Sequence, residues 1–373
     1  MKISTAKARI RALEAAGIVP FLEGSPGCAK SRGVWQLGDE DGVETVDIRL
    51  SLLNPVDIRG IPVVRGDRVE WVPPTFFKKA GPCRFFFDEL PNAPQATQQA
   101  AYQLVLDNAI GEFQLDRTMH TTKTGLRRPR HTIVAAGNRA TDQAFINQMP
   151  APLRNRMCIL HVEPDLDDWK DWALPAGISP LVIQFLTFTA RVKAGVGDTS
   201  PYGLLFWFDP KVHAQTAFPT PRSWEHVSRF IAANPKLATD TETIAGLVGE
   251  AVAVKFSAFV KVADKLPNAE AVLDGNIDLR PPDAQRDPGA LYAFCGALTA
   301  AMIRRTEEGD ARLDAARNVS AYCVKWWRAD AEEFAVLTMK DFGRTAEFKA
   351  IYRKVIVTKE WRDFTATFKG LLL

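Results

Sequence analysis

Short apolar runs alternate with amphipathic stretches along the first half of the chain. Four of these runs have the length and residue types of buried β-strands: Ile18–Leu22, Glu44–Arg49, Cys83–Phe87 and Thr132–Ala136. Amphipathic helices are predicted over residues 3–16 and over Gln95–Leu106, where Ala, Gln and Leu recur. Because strands that alternate with helices join into parallel sheets with covered faces, this half predicts an α/β domain.

Helical patterns replace strand patterns beyond residue 165. Helices are predicted over Leu181–Val192 and Ser223–Ala233, the second with Ser223 as its N-cap. The stretch Pro267–Pro288 is rich in Pro, Asp and Asn, which indicates a linker or a long loop, and helical patterns resume after it. We therefore predict three parts: an αβα domain over residues 1–165, a helical domain over 166–265 and a helical C-terminal extension over 266–373.

Composition and charge limit the classes of function. Hydrophobic residues make up 46% and charged residues 24% of the chain, and a net charge of +3 favours neither nucleic acid nor a membrane surface. No apolar core of signal-peptide length occurs near the N-terminus, and no apolar run reaches the roughly 20 residues of a membrane span. The five cysteines are never in C-x-x-C spacing and the histidines have no metal-ligand spacing. We therefore expect a cytoplasmic protein with reduced thiols.

A glycine-containing turn after the first predicted strand is the main candidate for chemistry. It matches the phosphate-binding pattern G-x-x-x-x-G-K-[ST], except that Ala29 stands where the last glycine belongs. In such a loop, backbone N–H groups surround the phosphates, the lysine neutralises the outer phosphates and the hydroxyl binds Mg²⁺. The simpler interpretation is a turn that carries Lys-Ser by chance. The candidate nucleotide-binding residues are Gly24, Ser25, Pro26, Gly27, Cys28, Ala29, Lys30 and Ser31.

Polar side chains also follow two other predicted strands. Asp88 and Glu89 end one of them, where the first carboxylate can bind Mg²⁺ and the second can orient the attacking water. Asn138 follows the strand Thr132–Ala136, and its amide can hold that water near the terminal phosphate. Taken singly, each motif is equally an acidic turn or a Gly-Asn turn at the end of a buried strand.

Arginines beyond the predicted sheet are candidates for contact with a nucleotide. Arg154 and Arg156 follow a Pro-Ala-Pro segment and can reach a neighbouring subunit's nucleotide, as an arginine finger does. Arg222 begins a predicted helix of the second domain, where the helix dipole slightly disfavours a cation. Surface cations at helix ends are the alternative interpretation. The five motifs together occur in the order that a nucleotide-driven ring needs, which favours the nucleotide site.

From about Val19 to Phe230 the chain resembles the MoxR branch of the AAA+ ATPases. The resemblance implies a role for each candidate: Gly24–Ser31 as the Walker A loop, Asp88 and Glu89 as the Walker B pair, Asn138 as sensor 1, Arg222 as sensor 2, and Arg156 or else Arg154 as the finger. It also implies that the segment from Asn54 to Pro74 contains the hairpin inserted in helix 2 of this branch. The segment from Gly111 to Arg130 is similarly its pre-sensor-1 hairpin.

For the whole molecule, the resemblance implies a P-loop AAA+ core, an all-helical lid and a helical extension. It further implies Mg²⁺-dependent ATP hydrolysis in a homo-oligomeric ring, with a hexamer expected, that remodels or matures a client protein. In relatives the client often carries a von Willebrand factor A domain. Two features depart from the family pattern. Ala29 puts the turnover rate in question, because it adds a methyl group where the backbone approaches phosphate. Glycines and acids over Arg32–Gly42 predict a short helix after the loop.

Two other functions are compatible with the same motifs. One is a nucleic-acid motor, because a predicted solvated hairpin carries four cations: Lys123, Arg127, Arg128 and Arg130. No aromatic residues alternate with these cations for base stacking, so we expect a protein client rather than nucleic acid, and no membrane partner. The other is a nucleotide-binding scaffold that hydrolyses ATP slowly because of Ala29.

Overall fold

The computed structural model describes residues 1–139, 147, 149–191, 200–213, 216–263, 265–305, 310–328 and 331–372. The chain divides into two compact units, Met1–Pro164 and Asp165–Leu373. Within the described ranges, no helix is both long enough and apolar enough to cross a bilayer. The predicted division of the second unit at residue 266 into a lid and an extension stays a prediction.

The first unit contains all the strands of the described residues. In chain order these are β1 (Val19–Glu23), β2 (Glu44–Arg49), β3 (Ile61–Arg65), β4 (Arg68–Val72), β5 (Cys83–Asp88), β6 (Ala109–Ile110), β7 (Phe113–Gln114), β8 (Met119–Thr121), β9 (Arg127–Pro129), β10 (His131–Gly137) and β11 (Met157–His161). Its helices are α1 (Ile3–Ala15), α2 (Lys30–Asp41), α3 (Pro55–Arg59), α4 (Gln95–Asp107) and α5 (Ala151–Arg154).

Five of these strands form one parallel sheet with the spatial order β11-β1-β10-β5-β2. The remaining six form three antiparallel hairpins, β3–β4, β6–β7 and β8–β9. The four predicted strands are confirmed, and they are β1, β2, β5 and β10. The edge strand β11 was not among the predictions, since its short Met-Cys-Ile-Leu-His run directly follows an arginine-rich segment.

Two hydrophobic cores cover the two faces of the sheet. Along β5, Phe85 and Phe87 point to one face and pack with residues of α4, whereas Phe86 points to the other face and packs with residues of α1 and α2. This alternation follows from the two-residue period of a strand. Helices therefore bury both faces of the sheet, and the predicted α/β fold class, a parallel sheet covered by helices, is confirmed.

The prediction of a short helix after the loop is wrong, because α2 runs for 12 residues. Its glycines lie where neighbouring elements approach closely. A Cβ atom on Gly33 would come within 2.6 Å of the Ile3 side chain, and one on Gly38 would lie 2.9 Å from the Val43 carbonyl oxygen. Close packing against α1 and against the chain entering β2 therefore offsets the low helix propensity of glycine.

The second unit contains helices and connecting loops, and its described residues include no strand. Its helices are α6 (Leu166–Ala173), α7 (Pro180–Arg191), α8 (Pro210–His213), α9 (Pro221–Ala233), α10 (Thr241–Val248), α11 (Glu250–Ala263), α12 (Ala269–Leu273), α13 (Pro288–Arg304), α14 (Asp310–Trp326), α15 (Glu332–Arg344), α16 (Ala346–Val355), α17 (Lys359–Thr367) and α18 (Lys369–Leu372). One hydrophobic core runs through the unit from Trp169 to Phe368.

Of two local predictions for the second unit, one is wrong and the other is correct only in part. Thr220, not Ser223, is the N-cap of α9, because Pro221 supplies the first helical position with its fixed φ. Ser223 occupies the third helical position, and its hydroxyl accepts from the Thr220 amide in a capping box. The predicted loop Pro267–Pro288 is correct over residues 274–287, but its first part contains α12, whose first turn is capped by the side chain of Asn268.

Candidate nucleotide site

The three polar motifs meet at one edge of the parallel sheet. The loop of residues 24–29 leaves the carboxyl end of β1, Asp88 ends β5, and Asn138 follows the end of β10. In the sheet, β10 lies between β1 and β5. Because the carboxyl ends of parallel strands face the same way, the sheet order brings the motifs side by side, at the edge where α/β folds bind ligands.

The loop turns through two residues with left-handed backbone angles. Gly27 has φ +74°, and Ala29 has φ 71° and ψ 19° directly before α2. Gly24 is required for a different reason, since a Cβ atom there would lie 2.6 Å from the carbonyl oxygen of Val162. At Ala29 the chain keeps the conformation that glycine adopts without strain, although it carries a methyl group.

Lys30, the first residue of α2, is buried, and its ammonium group lies inside the loop. Nζ donates to the carbonyl oxygens of Gly24 at 2.6 Å and Ser25 at 3.0 Å, and to Oδ1 of Asn138 at 3.0 Å. The contact with Asn138 joins two motifs that lie 108 residues apart in the chain. The predicted sensor amide and the predicted phosphate-binding lysine are therefore neighbours.

Ser31 and Asp88 form the second link of the site. The Ser31 hydroxyl donates to Oδ2 of Asp88 at 2.6 Å, and Oδ1 of Asp88 accepts from the amide of Glu89 at 2.9 Å. Within the described ranges, no group of three or more His, Cys, Asp or Glu side chains could hold a metal ion by itself. Mg²⁺ in nucleotide sites takes one or two protein oxygens together with phosphates and water, so this hydroxyl–carboxylate pair suits it.

Two residues of the site, Ser51 and Asp47, could not be recognised from sequence motifs. The Ser51 hydroxyl, in the turn after β2, donates a hydrogen bond to Oε2 of Glu89, whose backbone φ is 58°. Asp47 lies within β2, next to β5 in the sheet. Burial, and then the negative charge of Asp88, raise the pKa of Asp47 above its ordinary value, and Glu89 adds to the effect. The strand pairing of β2 with β5 is what brings these side chains to the acidic pair.

The arginine candidates occupy three different places. Arg154 ends α5 and Arg156 immediately precedes β11, and both are exposed. The Arg156 guanidinium lies over the Tyr102 ring, 5.3 Å from its centroid, and Nη1 donates to the carbonyl oxygen of Pro152 at 3.0 Å. Arg222 lies in the first turn of α9, in the second unit, and its part in a nucleotide site stays a prediction.

The prediction of a solvated basic hairpin is wrong for Arg128. Its side chain is fully buried, with Nη1 3.4 Å from the Glu14 carboxylate. Glu14 also accepts two hydrogen bonds from the buried guanidinium of Arg84. Burial alone would raise the pKa of Glu14, but the attraction of Arg84 holds this pKa below its ordinary value. For Arg128, burial lowers the pKa of the guanidinium to about 10. Arg130 pairs with Asp116 at 2.9 Å, so two of the four cations of this cluster have acidic partners.

No family model matches the sequence, and no curated protein matches it either. Among solved structures, the chain is similar to the RuvB Holliday junction branch migration motor of Thermotoga maritima, with 15% identity, coverage of 79% of each chain and a TM-score of 0.35. It is also similar to NtrX from Brucella abortus, with 13% identity, coverage of 91% of this chain and 67% of NtrX, and a TM-score of 0.33. Similarity at this level says nothing about function, so the assignment of the fold class depends on the strand order and on the position of the loop.

Proposed function

We propose that the chain is a ring-forming AAA+ ATPase of the MoxR type that couples hydrolysis of Mg²⁺-bound ATP to the remodelling of a partner protein. The observation that carries the proposal is the convergence of Lys30, Asn138, Ser31 and Asp88 at the ends of adjacent parallel strands. Phosphoryl transfer depends mainly on positioning and charge stabilisation, and these residues are of the types needed for both.

Each side chain then has a distinct task in the proposed reaction. The loop amides and Lys30 hold the phosphates, and Ser31 and Asp88 hold Mg²⁺, which neutralises charge on the outer phosphate oxygens when it is bound. Glu89 orients the attacking water, and the hydrogen bond from the Ser51 hydroxyl holds the Glu89 carboxylate in place. Asn138, next to Lys30, directs that water towards the terminal phosphate.

The proposal of a ring rests on the arginines beyond the sheet and on the family resemblance. An exposed arginine that has no acidic partner among the described residues, as is the case here, can stabilise charge that develops on a neighbour's nucleotide. Six subunits is the number that the resemblance implies, and Arg222 is proposed as sensor 2 on the same ground. ATP and Mg²⁺ are the cofactors of the proposed reaction.

A protein client is supported by the β3–β4 hairpin. Val64 and Val69 are directly opposite each other, and next to them Pro62 pairs with Trp71 on the same face. Val64 is 74%, Val69 58% and Trp71 48% exposed. Exposed apolar patches of this kind mark contacts with other proteins, and a two-stranded sheet alone is only marginally stable in water. We propose this face as the contact with the client, for which a von Willebrand factor A protein is the candidate class. The burial of Arg128 argues against the nucleic-acid motor.

The test mixes two inactive variants of the full chain, Glu89→Gln and Arg156→Ala. Each should bind ATP and hydrolyse it far more slowly than the parent protein. For Arg156→Ala the expected loss is about a thousandfold, the lower part of the range for an arginine finger. In the mixture, junctions that pair intact Glu89 of one subunit with intact Arg156 of its neighbour should recover activity. Glu112→Gln, the same substitution at an exposed turn, is the matched control and should behave as the parent protein does.

The outcomes separate the parts of the proposal. A mixture that stays inactive although both variants assemble together would show that Arg156 does not act in trans. Normal turnover in Glu89→Gln would remove this residue from the reaction. ATP binding with slow hydrolysis in the parent protein under all conditions would favour the scaffold instead.

A further inference from the structure

The Arg156 guanidinium is held by an aromatic ring rather than by a carboxylate. Tyr102 lies in the middle of α4, half-buried against the hydrophobic core on one face of the sheet. Its ring faces the guanidinium at 5.3 Å from the centroid, and the only hydrogen bond described for this guanidinium goes to the Pro152 carbonyl. Arg156 is thus restrained from two sides although it is exposed.

The kind of partner matters for an arginine that must act on phosphate. A carboxylate would orient a guanidinium but would also neutralise it and occupy its N–H groups. A ring face attracts the cation through its quadrupole, so the guanidinium keeps its charge and most of its donors. Because Tyr102 is anchored in a packed helix, it restricts the many rotamers that a free arginine side chain would populate.

This contact also distinguishes the two candidate fingers. Arg154 ends α5, and in the described part of the chain its side chain has no hydrogen bond, ion pair or ring contact. Arg156 alone of the two is oriented within its own subunit. We propose that Arg156 is the finger and that Tyr102 is its positioning residue, an inference that rests on the proposed ring ATPase.

The test uses the mixture of Glu89→Gln subunits, which donate Arg156, and Arg156→Ala subunits, which accept it. Tyr102→Leu on the donor subunit should lower the maximal turnover about fivefold without changing the KM for ATP, which corresponds to about 1 kcal/mol for an exposed cation–π contact. Tyr102→Leu on the acceptor subunit should have no effect, because the residue that it positions is already absent there. Tyr102→Phe on the donor should retain turnover, because it keeps the ring.

A merely structural role of Tyr102 predicts a different pattern. The leucine variant would then lower turnover from either subunit, and the heat stability of both mixtures would fall together, which would overturn the positioning role. Equal turnover for Tyr102→Leu and Tyr102→Phe on the donor would overturn it as well. If the reference mixture without any Tyr102 substitution is inactive, the trans action of Arg156 fails, so that failure of the proposed function is seen separately.

Discussion

Replacement of Ala29 by glycine tests the geometry of the phosphate loop directly. Ala29 has φ 71° and ψ 19°, and the left-handed conformation costs an L-residue about 1–2 kcal/mol. Glycine adopts it without strain, but glycine also gives the unfolded chain additional freedom that costs about 0.4–1 kcal/mol. The difference predicts that Ala29→Gly stabilises the first unit by about 0.5–1 kcal/mol.

The matched control is Ala8→Gly, the same change at an exposed position inside α1. In a right-handed helix glycine is about 1 kcal/mol less favourable than alanine, so this variant should be less stable. For a unit of this size, 1 kcal/mol moves the unfolding midpoint by about 2–4 °C. Calorimetry of the full chains should therefore show Ala29→Gly unfolding about 2 °C higher and Ala8→Gly about 3 °C lower than the parent protein.

The two variants must differ in sign for the reasoning to stand. If Ala29→Gly loses as much stability as Ala8→Gly, the left-handed conformation at Ala29 does not carry the expected strain. The variant should also retain ATP binding in a titration with a fluorescent nucleotide, because the loop backbone is unchanged. A large loss of affinity would mean that the methyl group of Ala29 itself contributes to the site.

Three further predictions follow from charges at and below the site. Lys30→Ala should greatly weaken binding of a fluorescent ATP analogue, because it removes the only cation inside the loop. Arg32→Ala, at an exposed cation two residues further along α2, should not, and an equal loss in both variants would remove the loop from the proposal. Glu14→Ala should lower the free energy of unfolding in urea by about 3–5 kcal/mol, because it removes the carboxylate that faces the buried guanidinium of Arg128. The same change leaves the buried Arg84 with Asp41 as its acidic partner. Glu40→Ala, at an exposed ion pair, should cost less than about 1 kcal/mol, and similar losses in the two variants would contradict the argument. Asp47→Asn should be more stable than the parent protein at neutral pH, because the raised pKa of Asp47 means that the native state disfavours its carboxylate. This advantage should disappear as the pH falls through the raised pKa of the native state towards the ordinary pKa of the unfolded chain. A stability difference that does not depend on pH would refute the prediction.

The order of most elements in the first unit and the position of the loop after β1 were readable from the sequence alone. Strand length, the two-residue alternation around Phe86 and the position of Lys30-Ser31 after a strand are local properties, and they suffice to predict a parallel sheet with a phosphate loop. The acidic pair Asp88-Glu89 and Asn138 were identifiable for the same reason, since each follows a buried strand.

Contacts between distant segments were decided only by the tertiary structure. Asp47 and Ser51 join the acidic pair because β2 pairs with β5, and no spacing in the chain specifies that pairing. Arg128 looked like a solvated cation within its basic run, but the buried carboxylate that faces it is Glu14, more than a hundred residues away. Local patterns determine which elements form and which face of each is apolar. Which polar groups meet depends on how the strands are ordered, and this order results from packing the whole unit.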